Sequence, residues 1–299
     1  MEVRLVRNEE IDKIKWNSCV HYATSGNALG YKWYIDSVVK DWDALVEGDF
    51  ETVMPLIGKK TLLQSKMLYQ PALLRGLGIY SVHLLSTGRI RKMLEHIPKE
   101  YQQVELFLQD GLRMPQNSGF LVNKIENDQL LLNTNYEVIE EKYTPELREQ
   151  LNRAKSNQLM LTSNVKPEKI ADFYQKYALH EPEKSSNFHA FQRIMYNAMH
   201  RGIGFASGVE KKDGTLVGAA FFIYSHGRLR HLLGNFSPEG KKIGADALLY
   251  DTLIRIHSQK PVLLNFNSID APRSFKQFGT QNKSLIKIEK KKKWLVFRQ

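Results

Sequence analysis

The sequence predicts an α/β (α+β) protein of two tandem domains, each a mixed sheet flanked by helices. Three observations carry that expectation. A chain of 299 residues exceeds one typical domain. Its two halves present the same order of elements, offset by about 160 residues. In each half a glycine-containing loop leads from a strand into a helix, and an apolar strand follows that helix.

The first half opens on a short strand, Val3 to Val6, after which Asn8 is placed to cap a helix with Glu9 and Glu10 in its first turn. Ile11, Ile14 and Cys19 follow near helical spacing, and a second helix is expected from Tyr31 to Lys40. Ala44 to Val46 and Thr52 to Ile57 read as a strand pair joined through Glu47, Gly48 and Asp49. A strand near Met67 to Gln70, a loop with Gly76 and Gly78, a helix from about Val82 to His96 and a strand from Val104 to Leu108 complete the half.

In the second half Pro167 suits the first turn of a helix running to Ala178, and Asn187 is placed to cap another that ends before Gly202. Ile203 to Val209 and Leu216 to Tyr224 read as strands around the turn Lys211 to Gly214, with a third from Arg228 to Leu233. The helix from Ile243 to His257 precedes an apolar strand, Pro261 to Phe266. Thr144 and Pro145 begin a connecting helix, so the expected domains are 1–142 and 143–299.

A hydrophobic share of 42% and a charged share of 25% are those of a folded globular chain. The first residues lack the apolar core of a signal peptide, and no stretch supplies 18 uncharged apolar residues, so neither secretion nor membrane insertion is expected. Cys19 is the only cysteine, which excludes an intrachain disulfide and fits a cytoplasmic protein. Cys19 itself reads as a small buried apolar residue. The histidines show no metal-ligand spacing, so no metal is expected. A net charge of +11 points to an anionic partner, with nucleic acid, a phosphorylated cofactor and a membrane surface all open. The densest basic run, Lys290 to Lys293, reads as a solvated turn before a final strand. Oligomeric state is not legible.

The stretch from Gly234 to Asp246 hands a strand to a helix through glycines. Free N–H groups at the helix start bind phosphate oxygens, and Lys241 and Lys242 add charge. Lys241, Gly244, Ala245 and Asp246 resemble the Arg/Gln-x-x-Gly-x-Gly/Ala loop with which the GNAT superfamily binds the pyrophosphate of its acyl donor. Here lysine takes the first place, and Asp246 takes the last. The resemblance implies that Lys241, Lys242, Gly244 and Ala245 hold the donor.

Asn265, Phe266, Asn267 and Ser268 end the apolar strand, and Phe275, Lys276, Phe278 and Gly279 follow. This order is similar to the strand end and Phe-Lys-x-x-Phe-Gly segment of the FemAB branch of the same superfamily, with one residue fewer between Lys276 and Phe278. The resemblance puts Lys276, with Phe275 beside it, at the reaction centre, where a fixed ammonium stabilises oxyanion charge. It makes Asn267 a substrate contact. The order Lys40, Asp41, Trp42 resembles the family's lysine shortly before a tryptophan, which implies that Lys40 holds a phosphorylated acceptor, and Arg153 is a second anion contact. Each of these lysines also has a plain reading as a surface or helix-end cation. Glu239, Asp251 and Asp270 are the carboxylates available as a base.

The resemblance implies an acyltransferase built on two GNAT-like domains. Such an enzyme moves an acyl or aminoacyl group from acyl-CoA or aminoacyl-tRNA to an amine, a cell-wall precursor in the FemAB case. The alternative is a non-catalytic protein that keeps the duplicated scaffold to recognise an anionic ligand.

Overall fold

The computed structural model describes residues 2–60, 65–163, 165–178, 182–267 and 273–290. It contains two compact units: unit 1, Met1–Ile125 with the stretch from Ser284, and unit 2, Glu126–Lys283. In chain order unit 1 holds β1 (Val3–Val6), α1 (Lys13–Tyr22), α2 (Lys32–Val38), β2 (Asp43–Glu47) and β3 (Thr52–Leu56). It continues with β4 (Gly58–Lys60), β5 (Lys66–Tyr69), β6 (Tyr80–Ser81), α3 (Thr87–Glu95) and β7 (Tyr101–Leu108). The next strand, β8 (Leu121–Leu131), begins in unit 1 and ends in unit 2.

Unit 2 adds α4 (Tyr136–Glu140), α5 (Pro145–Ser156), β9 (Met160–Thr162), α6 (Pro167–Ala178) and α7 (Pro182–His200). Then come β10 (Gly204–Glu210), β11 (Leu216–Ser225), β12 (Arg228–Phe236), α8 (Pro238–Lys242), α9 (Ala245–His257) and β13 (Leu263–Asn265). The last strand, β14 (Gln281–Lys290), returns the chain to unit 1. The matched helix, helix, hairpin, strand, helix, strand order expected from the sequence is present in both units.

Local chemistry explains most of the ends. Asp12, not Asn8, caps the first α-helix, its carboxylate accepting from Ile14 and Lys15 N–H; Asn8–Glu10 is a separate 3-10 turn. Helix α1 then buries Trp16, Cys19 and Val20, an i, i+3, i+4 stripe. The thiol of Cys19 lies under two carbonyls, and burial pushes its pKa up to about 12, so it packs rather than reacts. Thr144 caps α5 with Pro145 in its first turn, whereas α7 starts at Pro182 and passes through Asn187.

In unit 1, β1, β2, β3 and β6 form an antiparallel sheet in that order. A second array runs β4, β5, β7 and β14, with β5 and β7 parallel. The core of unit 1 includes Leu45, Met54, Leu68, Ile90, Leu106 and Ile288. Unit 2 has strand order β8, β13, β12, β11, β10, β9, with β12 and β13 parallel and its other pairs antiparallel. Its core gathers Phe222, Leu249, Tyr250, Ile254, Phe266 and Phe278, and each fully buried side chain of this size contributes about 1.5–3 kcal/mol.

The boundary expected at 142/143 falls inside unit 2, and the last strand belongs mainly to unit 1 rather than to 143–299. The reason is local: Tyr136 and Tyr143 hydroxyls donate to Asp251 on α9, and Thr144 N–H donates to the Gln277 carbonyl at 3.1 Å. These bonds tie the segment before α5 to unit 2. Among the described residues no helix is long and apolar enough to cross a membrane, and no group of three or more His, Cys, Asp or Glu side chains is placed to hold a metal. The basic run beyond Lys290 lies outside the described residues.

Candidate functional site

Strand β12 pairs with β11 along its whole length but with β13 only over Arg228 to Arg230. Just past that point the β11 register shifts: Phe222 faces His231 and Phe221 faces Leu233, leaving Leu232 as an extra residue. Such a bulge bends its strand and raises the local twist, so β12 turns away as its pairing with β13 ends. The sequence also stops β13. Asn265 Oδ1 accepts from Asn267 N–H at 2.8 Å, and Asn267 has a φ of 51°, a left-handed conformation that asparagine tolerates better than most residues. Among the described residues no strand pairs with the β13-facing edge of β12 from His231 to Phe236.

Beside this point an imidazole, a phenol and two phenyl rings pack together. His231 Nδ1 lies 3.3 Å from the Phe266 carbonyl and Nε2 lies 3.0 Å from the Tyr250 hydroxyl. Burial lowers the His231 pKa to about 4, which keeps the ring neutral near pH 7. Nδ1–H therefore donates to the carbonyl, and Nε2 accepts from Tyr250, whose own pKa burial pushes up. Phe275 stacks on Phe266 at 4.4 Å and meets Tyr250 at 5.2 Å. With only 7% of its surface exposed, Phe275 serves as a packed floor.

The polar side chains next to these rings are paired. Arg230 Nη2 donates to Asn267 Oδ1 at 2.7 Å, which places Asn267 at the end of β13. Lys276 lies on the 3-10 turn Arg273–Phe278, where its ammonium is 3.1 Å from Glu126 Oε2, both side chains being at least half exposed.

The glycine loop has a different arrangement from a ligand cradle. Gly244 caps α9 with a φ of 83°, and a β-carbon there would collide with the Gln150 carbonyl of α5. Glycine is thus needed for close packing of α5 on α9. Ala245 is fully buried, while Lys241 and Lys242 are exposed on α8. Burial raises the Asp246 pKa, and the N–H groups of the helix start, with Lys241 and Arg153 nearby, oppose that rise, while its Oδ1 is buried without a hydrogen-bond partner among the described residues. The structure therefore brings Lys241, Gly244, Ala245 and Arg153 to one helix start, and places the Asp246 carboxylate there as well.

Lys40 belongs to unit 1 and is exposed, just beyond α2. Trp42 is buried against Trp16 and donates from Nε1 to Asp36 at 2.9 Å. A cavity of about 210 Å³ in unit 1 is bordered by Asp41, Trp42, Lys60 and Tyr101, with Arg7 paired to Asp43 and Lys66 to Glu100. None of the site residues expected from the sequence lines it. Of the carboxylates considered as bases, Asp251 is the buried acceptor of two tyrosines, Glu239 pairs with Lys211 at 3.1 Å, and Asp270 lies outside the described residues.

The fold has counterparts among solved structures. FemX aligns with a TM-score of 0.63 at 11% identity, covering 96% of this chain and 97% of that one. The fold is the FemX-type tandem GNAT fold. A tandem GNAT protein from the clavulanic acid biosynthesis pathway shares this tandem GNAT fold at a TM-score of 0.51 and 11% identity, over 96% and 98% of the two chains. L-PGS from Bacillus licheniformis aligns at 0.56 and 12% identity, over 93% and 91%. No protein-family model and no curated protein sequence matches the chain.

Within this tandem GNAT fold, the residues not anticipated from sequence are His231, Tyr250 and Arg230. A faint signal existed: His231 stands two residues after Leu229, at a core-facing position of a strand, where a polar side chain needs a partner.

Proposed function

We propose that the protein is an acyltransferase that moves an acyl or aminoacyl group from an activated donor to an amine, with the donor on unit 2. The observation that carries this reading is the departure of β12 from β13 at the Leu232 bulge. A strand edge without a neighbour offers N–H and C=O groups to a ligand that itself carries amides, and hydrogen-bonds it as an added strand would. The arm of an acyl-CoA has such amides. The aminoacyl end of a charged tRNA supplies an ester and an ammonium instead. The tandem GNAT neighbour, whose structure is described as being without AcCoA, supports the first donor, and the resemblance of Phe275, Lys276, Phe278 and Gly279 to the FemAB segment supports the second.

In the transfer an amine nitrogen attacks the donor carbonyl, the C–S or C–O bond breaks, and the proton lost by the amine ends on the departing thiol or hydroxyl. Lys276 is assigned to the negative charge that develops on the carbonyl oxygen, with Phe275 shaping the floor. Lys241, Lys242 and Arg153 supply the positive field for donor phosphates, alongside Gly244 and Ala245. Asn267 contacts the substrate, and Lys40 is the anion contact for an acceptor of the cell-wall-precursor class.

One observation favours a second reading, a non-catalytic anion-binding scaffold: the largely buried carboxylate of Asp246 stands at the helix start where a phosphate would sit. A screen of radiolabelled acyl-CoAs and charged tRNAs against a panel of amines separates the two. Transfer of label into an amide supports the acyltransferase; binding of a donor without transfer supports the scaffold.

A further inference from the structure

Unit 1 contains the same kind of parallel pair, and its edge is not left open. Strands β5 and β7 are in register from Lys66 with Tyr101 to Tyr69 with Glu105. Pro71 follows two residues later, and a residue with no N–H cannot continue the ladder. Beyond that point two side-chain amides stand in for backbone. Gln70 Oε1 accepts from Phe107 N–H at 3.0 Å, while its Nε2 donates to the Leu77 carbonyl at 2.6 Å.

Gln109 makes the closer imitation. Its Oε1 accepts from Ile79 N–H at 3.1 Å and its Nε2 donates to the carbonyl of the same residue at 2.6 Å. Ile79 is thus engaged through both backbone groups, as by a residue of a neighbouring antiparallel strand. Both glutamines are buried, at 7% and 5% exposure. The arrangement depends on Gly78, because a β-carbon there would collide with the Gln109 amide. The following helix is also committed: Arg89 and Lys92 of α3 are held by the buried Glu47 carboxylate at 2.9 and 3.2 Å.

We propose that Gln70 and Gln109 are internal substitutes for an amide-bearing ligand, closing in unit 1 the strand edge that unit 2 leaves open, so that each chain takes one donor and takes it on unit 2. The donor half of this statement rests on the acyltransferase reading above; the glutamine half does not.

The test uses the full chain, labelled for amide hydrogen exchange. Gln109→Ala removes the side-chain amide and leaves a hole the size of acetamide, so Ile79 should exchange at least about tenfold faster than in the wild type. Acetamide should restore much of the lost protection in the variant, while ethanol at equal concentration should not and the wild type should not respond. No response of the variant to acetamide overturns the substitution. Should Gln109→Ala not fold, Gln70→Ala read at Phe107 decides the same point.

The second arm titrates pantetheine, which carries two amides, into the wild type. Shifts at Leu233 to Phe236 with Phe107 and Ile79 unmoved support one donor site per chain. Movement of Phe107 or Ile79 contradicts it. Pantetheine that moves neither region removes the donor reading of β12, while the acetamide result still stands for the glutamines.

Discussion

Tyr136 donates its hydroxyl to Asp251 at 2.7 Å, and Tyr143 donates to the same carboxylate oxygen at 3.1 Å. Arg255 bonds the Tyr136 hydroxyl at 3.0 Å and lies with its guanidinium over that ring. Burial pushes the Asp251 pKa up, and these bonds hold it down without fully offsetting the burial. The carboxylate therefore joins the segment before α5 to α9 as a structural group. Asp251→Ala leaves two buried hydroxyls without an acceptor and should cost about 2–4 kcal/mol; Asp251→Asn, which keeps one acceptor oxygen, should cost less. Urea unfolding at neutral pH measures both, and an unchanged midpoint for the alanine variant would refute the structural role.

At the start of α9, Gly244→Ala should destabilise the fold by about 2 kcal/mol, because the left-handed φ and the approach of the Gln150 carbonyl both oppose a side chain. Thermal melts check this.

Anion binding at the same helix start is opposed by Asp246 and favoured by Lys241 and Arg153. With pyrophosphate as the calorimetric probe, Asp246→Asn should tighten binding about threefold to tenfold, and the Lys241→Ala, Lys242→Ala pair should weaken it and flatten its salt dependence. Equal affinities in all three proteins would take the loop out of the site.

For His231 the sign of the pH effect is fixed by the direction of its shift. Burial lowers its folded pKa from 6.5 to about 4, so between these values the unfolded chain binds a proton that the folded chain refuses. Stability should then fall as pH drops through that window, by no more than about 3 kcal/mol from this group. His231→Gln should remove that part of the slope. A variant with the same slope as wild type would show that other groups set the acid limit.

Lys276→Met should leave the fold intact, since the lysine is half exposed and its pair with Glu126 is a surface one. If the ammonium stabilises charge only in the transition state, kcat should fall about 10²-fold to 10³-fold with little change in KM. Steady-state kinetics with the donor found in the screen decides; unchanged kcat makes Lys276 half of an exposed ion pair and nothing more.

Much of the fold was legible because local signals and tertiary structure agree. Val3–Val6 and Pro167–Ala178 have the expected bounds, and the turn through Gly214 joins the expected strands. Strand β8 was not legible, because Asn127, Asp128 and Gln129 are buried at 1%, 5% and 1% exposure where apolar residues would have marked the strand. Its course, with that of β14, is why the unit boundaries escaped the sequence. The site was legible only in part. Lys241, Gly244 and Arg153 do meet, but a sequence shows neither that Gly244 faces a carbonyl of α5 nor that a bulge at Leu232 opens a strand edge. Phe275 illustrates the converse: its aromatic type was informative, and its packed position gives the plain reason for it.

The most direct measurement is amide hydrogen exchange of the full chain with and without whichever donor transfers its label. Slower exchange at Leu233 to Phe236, with Phe107 and Ile79 unchanged, is the result expected if unit 2 takes the donor on the opened edge of β12. Protection confined to other segments, or to the unit 1 edge at Phe107 and Ile79, would contradict it.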